Sequence, residues 1–130
     1  MIIDVHVHYP FCKTGMFSEN IWDVNELIES ARKIDIGHMC LLGDVLRYSY
    51  YPTEEQIKEI NDFTVVCVHQ HPEIFTGFCF LNPDNKPEFI VSEIDRCVRD
   101  EKFKGIKLEV SVNCRSPKLD IIMEKAREYN

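Results

Sequence analysis

Apolar residues along this chain alternate between two spacings. Short β-branched or aromatic runs at Ile2–His8, His38–Gly43, Ile74–Leu81 and Ile106–Val110 have the length and composition of strands. Helical spacing fills the intervals. Val24, Leu27, Ile28 and Ala31 form one stripe, with Asp23 placed to cap it and Gly37 in the connection beyond. Ile57, Ile60, Thr64, Cys67 and Val68 form a second. Thr53 and Gln56 supply its capping box, and Pro72 stops it. Ile90, Ile94, Cys97 and Val98 form a third stripe after Pro87. Leu119, Ile122, Met123 and Ala126 form a fourth, opened by Ser116 as cap and Pro117 at the first helical position. The order is β-α, four times over.

This alternation predicts an α/β fold with a parallel sheet and right-handed crossovers. An open doubly wound sheet and part of a (β/α)8 barrel both satisfy it. In the fourth strand Lys107 and Glu109 share one face, opposite Ile106, Leu108 and Val110. The first strand is divided in the same way. Charge on one face and aliphatics on the other suits a barrel better than a sheet covered by helices on both sides. No glycine-rich phosphate loop follows a strand: Gly15 is isolated, and the first turn reads Tyr9-Pro10-Phe11-Cys12. A full barrel needs about 250 residues, so 130 residues correspond to four of its eight units, in a single domain spanning 1–130.

The first strand carries the candidate chemistry. Asp4, His6 and His8 alternate with Ile3, Val5 and Val7, which puts the three polar side chains on one face. Imidazoles at i and i+2 suit joint ligation of one ion, with a carboxylate nearby to orient or charge-balance it. The alternative is a histidine pair satisfied by hydrogen bonds.

Composition narrows the class. Hydrophobic residues at 45% and charged residues at 28% are ordinary for a globular protein. No basic segment leads into an apolar stretch, and no apolar run approaches about 18 residues, so neither a secretion signal nor a membrane span is expected. A net charge of −7 speaks against general nucleic-acid binding. The six cysteines, Cys12, Cys40, Cys67, Cys79, Cys97 and Cys114, are scattered without a C-x-x-C pair. They read mostly as small buried hydrophobes of a cytoplasmic protein. Cys12 and Cys114 fall in predicted loops after strands, where a loop cysteine without function outweighs a nucleophile.

Three segments, Ile2-Ile3-Asp4-Val5-His6-Val7-His8, Phe75-Thr76-Gly77-Phe78 leading to Leu81-Asn82-Pro83, and Phe103-Lys104-Gly105-Ile106-Lys107-Leu108, together resemble the amidohydrolase superfamily. Within it they are most similar to the amidohydrolase-related branch of aminocarboxymuconate-semialdehyde decarboxylase-like enzymes. The polymerase and histidinol phosphatase family fits less well, because His38-Met39-Cys40-Leu41-Leu42-Gly43-Asp44 stands where its Asp-His pair would be.

The resemblance implies the N-terminal half of a metal-dependent TIM-like barrel. His6 and His8 would be first-strand ligands of a divalent metal, zinc first, with manganese, iron or cobalt as alternatives. The remaining family ligands, and an acid/base aspartate, would lie on strands beyond the fourth. Asp4, Lys107 and Glu109 are further candidates, as metal ligands or as groups supporting them. Lys107 stands close to the position of a bridging carbamylated lysine, but an ion pair with Asp4 or Glu109 is the default for buried charge. Lys13, Arg47, Tyr48, Tyr50, Tyr51 and Arg115 would line the loops around a pocket, and Arg47 or Arg115 could grip a substrate carboxylate. His38 belongs at the opposite end of its strand, and His69 and His71 are assigned to helix capping.

Two readings follow. The chain is half of a metal-dependent hydrolase or decarboxylase acting on a small molecule, active once joined by a second half or a second copy. Otherwise it is a non-catalytic half-barrel for metal or partner binding, or an inactive truncated product. Open sheet edges predict association in either case.

Overall fold

The computed structural model describes residues 2–8, 24–43, 48–109 and 111–129. Four parallel strands, β1 (Ile2–Val7), β2 (Ile36–Leu41), β3 (Phe75–Leu81) and β4 (Gly105–Leu108), pair in sequence order. The helices α1 (Val24–Lys33), α2 (Glu54–Gln70), α3 (Pro87–Ile94) and α4 (Asp120–Glu128) alternate with them. The architecture is a curled half-barrel of four βα units.

Local signals account for most boundaries. The Gln56 N–H donates to Thr53 Oγ1 at 3.3 Å and the Thr53 N–H donates to Gln56 Oε1 at 2.9 Å, closing the capping box of α2. Pro87 opens α3 at its first position. Ser116 accepts from the Lys118 N–H and starts a 3-10 turn, Pro117–Leu119, which leads into α4. Asp23, the expected cap of α1, lies outside the described residues.

Several boundaries differ from expectation, most plainly those of β2, the third helix and β4. Gly37 sits inside β2, because the α1–β2 turn is made by Asp35 at φ +61°, a left-handed conformation that a short polar side chain tolerates. The third helix continues past Ile94 as a π-helical segment, Asp95–Asp100, which periodicity at 3.6 residues does not anticipate. The fourth strand begins at Gly105 and ends at Leu108, one residue earlier at its start and two at its end than Ile106–Val110.

Two apolar clusters form the core. Ile28 and Ala31 of α1 meet Met39 and Leu41 of β2, with Cys67, Ile74 and Phe75. Ile57 and Ile60 of α2 meet Cys79, Phe80 and Leu81 of β3, joined by Ile90, Ile94, Cys97, Phe103 and Ile122. The second cluster encloses polar groups. Asn61, fully buried, accepts from the Phe80 N–H at 2.8 Å and donates to the Phe80 carbonyl at 3.0 Å. It thereby takes over hydrogen bonding where the β2–β3 ladder, whose last pair is Leu41 and Gly77, has ended. Asn61 also donates to Glu93 at 2.8 Å, and Glu93 pairs with Arg96 at 2.6 Å. Asn61 and Glu93 each stand on an apolar helical stripe, one residue from Ile60 and from Ile94. That placement was the available sequence signal for this network.

A candidate metal site at the strand ends

The C-terminal ends of all four strands open on one side of the sheet, the side where α/β barrels gather their functional loops. β1 delivers His6 and His8 there, and their Nε2 atoms lie 2.9 Å apart with the rings edge to face. His8 Nδ1 is 2.9 Å from the Gly43 carbonyl just past β2. A carbonyl only accepts, so Nδ1 carries the proton and Nε2 of His8 presents its lone pair. The carbonyl thus fixes the tautomer and the orientation of the His8 ring.

Gly43 is suited to that task. It adopts φ +77°, and a Cβ there would approach Ile60 Cγ2 and Phe80 Cβ to 2.9 Å each. Only glycine fits both the conformation and the space. The adjacent Leu42 N–H donates to the Val7 carbonyl at 2.9 Å, holding the ends of β1 and β2 together.

Asn82, one residue past β3, organises the loops on the same side. Its buried amide donates to the Pro52 carbonyl at 3.1 Å. Its Oδ1 accepts from the Asp84 N–H at 3.0 Å and the Ser111 hydroxyl at 2.7 Å. The loops following β2, β3 and β4 are thus anchored to one side chain.

The other candidates are dispersed. Asp4 pairs with Met39 of β2, before a register irregularity that separates it from Val7, so strand alternation does not place it with His6 and His8; its Oδ1 accepts from the His6 N–H at 3.0 Å. Lys107 donates from Nζ to the Leu108 carbonyl at 3.1 Å; this backbone contact stands where an ion pair with Asp4 or Glu109 was expected. Glu109 is buried past the end of β4. Tyr48 donates to the Glu59 carboxylate, while Tyr50, Tyr51, Cys114 and Arg115 are exposed. Arg47, Lys13 and Cys12 lie outside the described residues.

The remaining histidines have other roles. In the first half of β2, His38 bridges the Glu73 carbonyl and the Thr76 hydroxyl, away from the strand ends. His71 caps α2 through its backbone, donating to the Cys67 carbonyl. His69 instead pairs with Glu101 at 2.9 Å. Burial pushes the Cys67 thiol up to about 12 and Cys79 well above the thiol range, so neither is a nucleophile at neutral pH. Burial, assisted by the Asp4 charge, also raises Cys40.

As they stand, the two Nε2 atoms share a hydrogen bond, His6 donating to His8, and their spacing is also compatible with two ligands of one ion. Two nitrogens each about 2.0–2.1 Å from one ion lie roughly 2.9–3.4 Å apart for octahedral to tetrahedral angles, and the observed separation falls at the short end. His6 completes the pair when its own proton resides on Nδ1. Among the described residues no group of three or more His, Cys, Asp and Glu side chains converges on such a point.

No family model matches the chain. Solved structures do. An inferred amidohydrolase from Staphylococcus aureus superposes with a TM-score of 0.67 at 25% identity, over 81% of this chain and 36% of that one. The fold is that of the amidohydrolase superfamily. An amidohydrolase II structure superposes with a TM-score of 0.77 at 16% identity, over 98% of this chain and 48% of its own. The 5-carboxyvanillate decarboxylase of Novosphingobium aromaticivorans, which contains bound manganese, gives a TM-score of 0.69 at 20% identity, over 80% and 32%. The chain therefore spans about a third to a half of the amidohydrolase-type barrels it matches. Among the described residues no helix of this amidohydrolase-type half-barrel is long and apolar enough to cross a membrane.

Proposed function

We propose that this chain supplies the first-strand metal ligands, His6 and His8, of a divalent-metal-dependent hydrolase or decarboxylase of amidohydrolase type, and that activity requires a second barrel half. The observation that carries the proposal is the convergence of two Nε2 atoms at the strand ends, with His8 oriented by the Gly43 carbonyl. A divalent ion held there supplies Lewis acidity towards a carbonyl or carboxylate oxygen. His6 and His8 hold their nitrogens in register, Gly43 fixes the tautomer of His8, and Asn82 sets the loops that face a substrate. The inner-face Lys107 ammonium and the exposed Arg115 are the described cations available to a substrate carboxylate. Manganese in the decarboxylase relative makes manganese a candidate beside zinc, with iron and cobalt behind them. Carboxylated phenols like the substrate named for that relative form the first assay set, followed by esters and amides.

The test is metal content after purification without chelator, compared with a His6→Ala/His8→Ala double variant. Metal that is present in the parent and lost in the variant supports the assignment. Metal retained by a folded double variant overturns it. A non-catalytic metal-binding or interaction module is the second reading, favoured by the two-nitrogen donor set. Bound metal without turnover of any assay substrate, even with a second half supplied, selects that reading.

A further inference from the structure

Five successive residues after β3, Asn82-Pro83-Asp84-Asn85-Lys86, reach in two directions. Towards the preceding unit, the side-chain amides of Asn82 and Asn85 both donate to the Pro52 carbonyl, at 3.1 and 3.2 Å. The Lys86 N–H donates at 3.3 Å to Glu54 Oε1 in the first turn of α2. Towards the following unit, Asn82 Oδ1 accepts from the Ser111 hydroxyl at 2.7 Å, and Asp84 pairs with Lys118 at 2.5 Å. The segment also holds its own shape. The Asp84 N–H donates to Asn82 Oδ1 and the Asn85 N–H to the Asn82 carbonyl, each at 3.0 Å.

These contacts differ in weight. The Lys118 side chain is 55% exposed and that of Asp84 28%, so water screens their pair and it contributes little. Asn82 and Pro52 are both buried, where a polar group stripped of its partner costs most. The two ends of the Asn82 amide are chemically distinct. Nδ2 only donates and serves the loop after β2; Oδ1 only accepts and serves the loop after β4. Because Nδ2 faces a carbonyl and Oδ1 faces a backbone N–H, the amide has one permitted orientation. One planar group therefore ties two separate loops.

We propose that Asn82 is a positioning residue that makes the loops after β2, β3 and β4 respond as one unit. The loop after β2 carries the exposed Tyr50 and Tyr51, and the loop after β4 carries the exposed Arg115. The clamp fixes the spacing between these loops, and a change imposed on one is passed to the other through the amide. That this spacing serves a substrate rests on the metal-dependent reading above; the coupling of the loops does not.

Hydrogen exchange of the full chain, read by mass spectrometry, tests the coupling without metal or substrate. On the β2 side the reporters are the Tyr51 and Thr53 N–H groups, bonded to Ser49 Oγ and Gln56 Oε1. On the β4 side they are the Arg115 and Ser116 N–H groups, bonded to Asn113. Ser111→Ala removes only the hydroxyl that donates to Asn82. It is expected to speed exchange on the β4 side and also, by at least about threefold, on the β2 side, with α3 as an unchanged reference. Asn82→Asp keeps an acceptor for Ser111 and Asp84 but has no donor for Pro52 once ionised. It is expected to speed the β2 side about tenfold and leave the β4 side within about twofold of the parent. Urea unfolding checks that each variant folds; if Asn82→Asp does not, Ser111→Ala decides alone. A β2 side that Ser111→Ala leaves unchanged overturns the proposal, as does equal loosening of both sides by a folded Asn82→Asp. Coupled exchange in a chain that binds no metal keeps the clamp and removes the metal reading.

Discussion

The Gly43 carbonyl accepts a hydrogen bond from Nδ1 of His8 at 2.9 Å, across the junction between the ends of β1 and β2. A backbone group 35 residues away in sequence thereby selects which nitrogen of His8 is free to bind. Gly43→Ala forces a side chain into a left-handed backbone and against Ile60 and Phe80. We expect a stability loss of about 1–3 kcal/mol and a fall in metal affinity of about 10–100-fold. Urea denaturation and metal titration read the two effects separately.

Two glycines and two aromatic rings interlock between β3 and β4. A Cβ on Gly77 would lie 2.4 Å from the Phe103 ring, and one on Gly105 would lie 2.3 Å from the Phe78 ring. Gly77→Ala is expected to cost about 1–3 kcal/mol through overpacking. Adding Phe103→Leu should recover part of that loss, despite the smaller side chain, because the clash is with the ring. A double-mutant cycle in urea measures the coupling.

Asn61 satisfies both backbone groups of Phe80 and one oxygen of Glu93. Asn61→Ala leaves these buried groups without that partner, at about 1–3 kcal/mol for each group left unsatisfied. We expect loss of cooperative unfolding or a fall of at least about 3 kcal/mol. Arg96→Met is expected to be similarly damaging, since it strips Glu93 of its charge partner. Thermal denaturation of both variants checks the pair.

Acid should loosen the end of α4. The Lys125 ammonium, at 2.7 Å, and the Tyr129 hydroxyl hold the Asp95 carboxyl below the usual aspartate range. A depressed folded-state value means the contribution is complete above the ordinary aspartate pKa. It is lost as pH falls through that value towards the depressed one. Asp95→Asn should lower stability at neutral pH by no more than about 1 kcal/mol and flatten this part of the acid limb. Denaturation midpoints measured from pH 6 down to about pH 2.5 follow the difference.

Cysteine reactivity should divide by burial. Cys67, Cys79 and Cys97 are buried and Cys114 is exposed. Among these four, a thiol reagent at neutral pH is expected to label Cys114 in the native state and the other three on unfolding. Mass spectrometry of digests assigns the sites.

Local chemistry in the sequence determined the four βα units, because strand alternation, the Thr53–Gln56 box, Pro87 and the Ser116-Pro117 start act within a few residues of themselves. The placement of His6 and His8 on one face of β1 was legible for the same reason. Long-range packing decided the rest. Nothing near Gly43 in sequence announces that its carbonyl meets His8. Asn61 and Glu93 stood on apolar stripes, yet their use depended on where the β2–β3 ladder ends. The π-helical extension of α3 likewise departs from the spacing its apolar residues imply. Sequence spacing specifies which face a side chain takes. Which atoms it meets there is set by how separate elements pack, and only the tertiary structure contains that information.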